Sequence, residues 1–314
     1  MSDANDHPPT QDRRAFLTTL GGAALAAGGM GIFGCATSPA RASGSTPGST
    51  ASTQTGSTGG TLVAPIGVQL YSVRDEMQRD MSATLAQVAR IGYKEVEFAG
   101  YFGRSPEEVR AMLAQYGLSS PSAHIPLDAM RADPAAVAAS AKTIGHEYVV
   151  VPYLPEEARR TLADWHGIAR TLNDLGGQMS RAGLKLAYHS HDFEFAPIEG
   201  TVPYDILVGE TDPALVKLEI DLYWATKAGQ DPVAWFARQP GRFPLVHVKD
   251  SRGAPNNEMA PVGSGTIDWK RIFAHRAEAG IQHYIVEHDT AAQYPGGAFA
   301  SIAASYNYLS TLRV

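Results

Sequence analysis

Residues 184–195 read LKLAYHSHDFEF, and within this stretch His189, His191, Asp192 and Glu194 put four groups able to bind metal or move protons into six residues. Leu184, Leu186 and Tyr188 alternate with Lys185 and Ala187, so the cluster ends a strand. Buried ionisable groups are costly unless something pairs with them. A strand that delivers them at its carboxyl end is how an α/β barrel builds an active site.

The rest of the chain alternates short apolar strands with helical periods. Strands are predicted at Ile66–Ser72, Glu95–Ala99, Leu118–His124, Tyr148–Pro152, Leu184–His189, Leu215–Leu222, Phe243–Asp250 and His283–His288. Helices are predicted at 82–91, 106–116, 134–144, 155–182, 232–238, 268–279 and 297–312. Ser105, Pro106 and Gly117 mark the second of these helices as N-cap, first turn and stop. Eight strands with helical pattern between them, over about 250 residues, predict an α/β fold, a single (β/α)8 TIM barrel. A doubly wound sheet is the alternative, but no Gly-x-Gly-x-x-Gly follows the first strand.

In such a barrel the strand ends face one another across one mouth. They offer Glu97, His124, His189 with His191 and Glu194, Glu219 with Asp221, His247 with Lys249, and Glu287. Asp221, His247 and Glu287 come from strands six, seven and eight, and His189 from strand five extends the arc. Two carboxylates and two imidazoles suit one divalent metal ion, whether Mn2+, Mg2+, Co2+, Fe2+ or Zn2+. Glu97, His124, Glu219 and Trp224 are candidates for holding substrate. Glu219 could instead pair with Lys249 or Lys217, and His124 could be a wall residue. Trp224, Tyr71 and Phe98 would stack on sugar faces. His288 should point into the helix layer, whereas His146, His166, His275 and His283 read as solvated. Gly263-Ser264-Gly265 could cradle a phosphate or form a turn before the following helix.

GVQLYSVRD at strand one, SAHIPL at three, YHSHDFEF at five, EIDLYWATKAG at six, HVKD and VGSGTIDW at seven and IVEHD at eight resemble the xylose-isomerase-like barrels of sugar phosphate isomerases and epimerases. The resemblance runs from about Ile66 to the C-terminus, and the motifs are jointly specific. Metal-dependent ketose epimerases of that group bind one divalent ion through Glu, Asp, His and Glu from strands five to eight. Carried over, these fall on His189, Asp221, His247 and Glu287. His189 departs from the pattern, and Glu194 stands near a substrate-contacting Glu. The two metal-bound glutamates of those epimerases form the acid/base pair. Here Glu287 would keep one role, and Lys249, His191 or Glu194 would take the other.

A net charge of -6 excludes a basic nucleic-acid face, and with it the AP endonucleases of the same barrel type. Residues 1–35 resemble a twin-arginine signal: Arg13-Arg14-Ala15-Phe16-Leu17 precede the apolar run Leu20–Phe33. Cys35 follows in a lipobox-like GIFGC, so either a lipid anchor to a membrane or ordinary cleavage is implied. This single cysteine excludes an intramolecular disulfide. Residues 36–62 are Ser, Thr, Gly and Pro-rich, the composition of a flexible linker. The barrel occupies 63–314, in the periplasm or on the outer face of a bacterial membrane. The expected function is an exported metal-dependent sugar isomerase or epimerase, abstracting a proton beside a carbonyl of an unphosphorylated carbohydrate through an enediolate. A keto-glycoside lyase or hydrolase on the same site, or a non-catalytic sugar-binding barrel, is the alternative. The sequence leaves the oligomeric state open.

Overall fold

The computed structural model describes residues 63–314. The signal-like segment, Cys35 and the 36–62 linker lie outside the described residues. Eight strands form one closed, wholly parallel barrel in sequence order. They are β1 (Ile66–Gln69), β2 (Glu95–Phe98), β3 (Ser119–His124), β4 (Tyr148–Val151), β5 (Lys185–His189), β6 (Val216–Asp221), β7 (Leu245–Val248) and β8 (His283–Val286). This is the predicted barrel.

Local chemistry sets the element ends. Ser105 Oγ accepts from Glu108 N at 3.2 Å while Ser105 N donates to Glu108 Oε2 at 2.8 Å, a reciprocal cap for the helix Pro106–Tyr116. The first strand is shorter than predicted because Gln69 Oε1 accepts from Tyr71 N and starts a 3-10 turn, Leu70–Val73. The sixth strand passes directly into a helix, Leu222–Lys227, because Asp221 Oδ1 accepts from the Tyr223 and Trp224 amides. A short helix, Pro203–Glu210, follows strand five, and the predicted 155–182 helix begins only at Leu162.

Strands buried on both faces cannot show polar-out alternation; instead the inward face changes character along the barrel axis. Tyr148, Val150, Ala187, Leu245 and Ile285 form an apolar plug, separate from the larger core between strands and helices. Two residues on from Ala187, Leu245 and Ile285 come His189, His247 and Glu287, on the same inward face. The polar site therefore rests on a dry floor.

Candidate active site

Above that floor the polar side chains form tiers. Glu97 and Glu219, fully buried, make the lower one. His124, His189 and His247 lie over them, with ring centroids 4.4–5.3 Å apart. Glu97 Oε1 accepts from Gln69 Nε2 at 2.7 Å and lies 2.8 Å from His247 Nε2 and 3.0 Å from His124 Nε2. Glu219 Oε2 lies 2.8 Å from His124 Nε2 and 3.0 Å from His189 Nδ1. Pairing of Glu219 with a lysine, one of the sequence-level alternatives, is not what the structure has.

The other nitrogens of two rings face upward. His247 Nδ1 lies 2.9 Å from Glu287 Oε2 and 4.0 Å from Asp221 Oδ2, and His189 Nε2 lies 4.0 Å from Asp221 Oδ2. One donor atom from each of His189, Asp221, His247 and Glu287 falls within 4.8 Å of all the others. The set fits a divalent ion. Asp221 spends one oxygen on the helix cap and turns the other to the rings, and each ring's far nitrogen meets a carboxylate that fixes its orientation. A second cluster, His124, His189, Glu219 and His247, uses the lower faces of the same rings.

Electrostatics distinguish the rings. Burial, reinforced by His247 and its other cationic neighbours, holds His189 well below the ordinary histidine range, the neutral state a ligand needs. Burial opposes protonation of His124 too, but Glu97 and Glu219 outweigh it and raise that ring to about 9. Glu219 is pushed up to about 7 by burial and by the neighbouring Glu97.

Lys249, 1% exposed, closes the tier above. Its Nζ lies 3.1 Å from Asp221 Oδ2, 2.9 Å from Glu287 Oε2 and 2.9 Å from Asp289 Oδ1. Burial would neutralise the amine, but these three carboxylates hold it well above its usual range. Asp289 was not among the sequence candidates, although it stands two residues beyond Glu287, in the turn that follows the eighth strand.

The remaining candidates separate. His191 stays beside the mouth, its ring 4.9 Å from His189 and 5.6 Å from Trp224. Trp224 is buried and its indole Nε1 has no hydrogen-bond partner among the described residues. Glu194 turns out of the cluster, because the 3-10 turn Phe193–Phe195 aims its carboxylate at Tyr188 Oη (2.6 Å) and His191 N (2.8 Å). Tyr188 is on the opposite strand face from His189. Burial raises Glu194 to about 7 there. Phe98 does not reach the mouth either: it packs on Tyr101 and His146 outside the barrel.

Two solvated assignments fail. His146 is buried between Tyr101 Oη and the Ser120 carbonyl, and His283 pairs with Glu95 at 2.8 Å. His146 follows the end of its helix and His283 opens the eighth strand, and both face packed neighbours, which sequence period alone does not reveal. His288 does enter the helix layer, 2.7 Å from Ser301 Oγ. The Gly263–Gly265 amides face an anion already in the chain. Asp250 accepts from both of them, from the Ser251 and Ile267 amides and from Trp269 Nε1. A Cβ at Gly265 would collide with that carboxylate.

Parallel closure and a mixed imidazole–carboxylate set at the carboxyl ends define an α/β barrel whose polar site lies at its mouth. The chain belongs to the xylose isomerase-like TIM barrel family, whose match spans residues 85–304. It is 27% identical over 265 residues to an inosose dehydratase of Geobacillus kaustophilus (strain HTA426), covering 71% of this chain and 84% of that one. An inosose dehydratase of Lacticaseibacillus casei is 28% identical over 139 residues, 39% of this chain and 46% of the relative, so that match spans about half of its length. Among solved structures, a sugar phosphate isomerase/epimerase from Parabacteroides distasonis ATCC 8503 superposes with a TM-score of 0.69 at 25% identity, covering 83% of this chain and 97% of the other.

Proposed function

We propose that this protein is an exported, metal-dependent carbohydrate lyase that removes water from a cyclic polyol ketone. The observation that carries the reading is the upper tier: His189 stands at the strand-five position where an epimerase would present its second proton-moving carboxylate, and one ammonium, Lys249, lies between Asp221 and Glu287. Epimerisation needs an acid/base group on each face of one carbon. Elimination needs a base at the carbon beside the carbonyl and an acid at the neighbouring hydroxyl. The dehydratase relatives support the same choice over an isomerase.

His189, Asp221, His247 and Glu287 would hold the metal. When bound, it supplies Lewis-acid polarisation of the carbonyl and its adjacent hydroxyl. Glu219 and Glu97 keep the two rings in their ligating tautomers. Glu287 takes the proton beside the carbonyl. The Lys249 ammonium faces the negative charge that develops on the enediolate oxygen. His191 gives a proton to the departing hydroxyl, which leaves as water. Asp250 already fills the glycine-rich turn, which favours an unphosphorylated substrate.

A keto-glycoside lyase is the second reading, with a sugar oxygen leaving in place of hydroxyl. The aromatic fan around His191 favours it: Tyr153, Phe193 and Trp224 lie at 5.5, 5.4 and 5.6 Å, enough flat surface for a second ring. Purified protein given an inosose and a keto-glycoside, with Mn2+ or with chelator, distinguishes the readings by product mass. Loss of water from the inosose is expected. An isomer of unchanged mass would restore the epimerase reading, and full turnover after metal removal would end the metal-dependent one.

Export rests on Arg13-Arg14 and the apolar run after them. Replacing both arginines by lysine should leave the protein in the cytoplasmic fraction; unaltered periplasmic recovery would overturn this. Cys35→Ser should release a lipid-anchored form from the membrane fraction.

A further inference from the structure

Asp221 and Glu287 are two of the four donors that the lyase reading gives to the metal, and in this structure Lys249 already neutralises both. A divalent ion and an ammonium at hydrogen-bond range of the same two carboxylates would put like charges side by side in a largely buried site. One cation has to give way. Asp289 makes that movement feasible. It stands outside the four-donor set, yet it holds the ammonium through both oxygens, at 2.9 Å and 3.1 Å. Asp289 is itself anchored, because Arg74 Nη1 donates to its carbonyl at 2.9 Å and to that of Tyr71 at 3.0 Å. A lysine carries its charge as a compact point on a flexible four-carbon stem, so the ammonium can shift toward Asp289 without backbone movement.

We propose that the Lys249 ammonium and the metal ion alternate on the Asp221–Glu287 pair, with Asp289 retaining the ammonium at the mouth while the metal is bound. The inference rests on the metal-dependent reading above. It makes metal uptake an exchange of one cation for another, so the metal-free barrel never leaves the inward oxygen of Asp221 without a cation at hydrogen-bond distance. It also makes Lys249 a determinant of metal affinity, and Asp289 a positioning residue that keeps the ammonium within reach of substrate.

The test is calorimetric titration of chelator-treated full-length protein with Mn2+, together with melting curves with and without the ion. Lys249→Met removes the internal competitor and should bind Mn2+ at least about tenfold more tightly than wild type, a coupling of ordinary size. Its melting temperature should also rise more on saturation, because its metal-free form is the one in which buried Asp221 loses its close cation. Lys249→Arg keeps the charge and should stay within about threefold of wild type, whereas Asp289→Asn should bind Mn2+ about threefold or more weakly. Uptake by Lys249→Met with none by wild type is the extreme form of the expected result. Unchanged or weaker affinity in Lys249→Met, while wild type binds, overturns the alternation and leaves the metal-dependent reading intact. If no form takes up Mn2+, the metal-dependent reading falls and the alternation with it. Should Lys249→Met fold only with Mn2+ present, the proposal is supported; should it fold in neither condition, Asp289→Asn decides, and wild-type affinity there overturns it.

Discussion

The two carboxylate pairs of this barrel lie on either side of one layer of imidazoles, and they are neutralised in different ways. The lower pair, Glu97 and Glu219, meets ring nitrogens and the Gln69 amide. Those donors are short side chains fixed to strands, and they have nowhere else to go. The upper pair, Asp221 and Glu287, also faces ring nitrogens but adds an ammonium at the end of a long chain, with a third carboxylate beside it. Similar charges therefore make a rigid support below and an exchangeable site above. Burial alone does not separate them, since both pairs are nearly inaccessible. The mobility of the partner does.

The largest expected effect breaks the upper tier. Asp221→Asn should lower kcat/KM by about 10^3 or more while the protein still folds, because the asparagine carbonyl can accept from the Tyr223 and Trp224 amides as the aspartate does. Steady-state kinetics with a melting curve check both halves of the statement. A variant that keeps its turnover would move the site elsewhere. Glu219→Gln tests the lower tier. A support role predicts a loss of about 10–100-fold in metal affinity, the usual result of disturbing a ligand's hydrogen-bonded partner. An equal loss from both substitutions would erase the distinction between tiers.

Histidines outside the mouth give a contrasting pH signature. Burial pushes His146 and His288 down to about 4 from an ordinary 6.5. Between those values the unfolded chain binds protons that the folded one rejects, so stability is complete above the ordinary value and falls as pH drops through the window. From about pH 7 to pH 5 each ring should cost about 1–2 kcal/mol. His124, raised to about 9 by Glu97 and Glu219 against its burial, acts with the opposite sign. Its contribution is complete below 6.5 and fades as pH rises through 9. Denaturant titrations across pH, with His146→Gln expected to flatten the acid limb, compare the two classes. The smallest effect belongs to Trp224→Phe. Removing an indole N–H without a protein partner should raise KM by about tenfold or less, while the volume lost from a buried side chain should lower the melting temperature by about a few degrees.

Much of the four-donor cluster could be read from the chain because parallel strands repeat one rule: the last inward residue faces the mouth. His189, Asp221 and His247 obey it, Glu287 follows one residue past its strand, and Asp289 continues the same two-residue spacing into the turn beyond. Depth along the barrel axis could not be read. Glu97, His124 and Glu219 looked like mouth residues, yet they lie level with or beneath the rings, because the stagger of neighbouring strands sets their height. Glu194 illustrates another limit. One 3-10 turn rotated it onto Tyr188, a local geometry that no periodicity encodes. Asp250 and Lys249, neighbours in sequence and both buried, separate in the same way, one toward five N–H donors in a loop and the other toward three carboxylates.

The sequence by itself determined the barrel, the strand count and which side chains reach its interior, because these follow from alternation, helix caps and chain length, all local properties. Only the tertiary structure decided which carboxylate meets which cation. Those pairings join residues from 27 to 150 positions apart, and they depend on strand stagger and side-chain reach. At LKLAYHSHDFEF the outcome is specific. His189 joins the ring layer with one nitrogen on Glu219 and the other toward Asp221, while Glu194, five residues later, leaves the site.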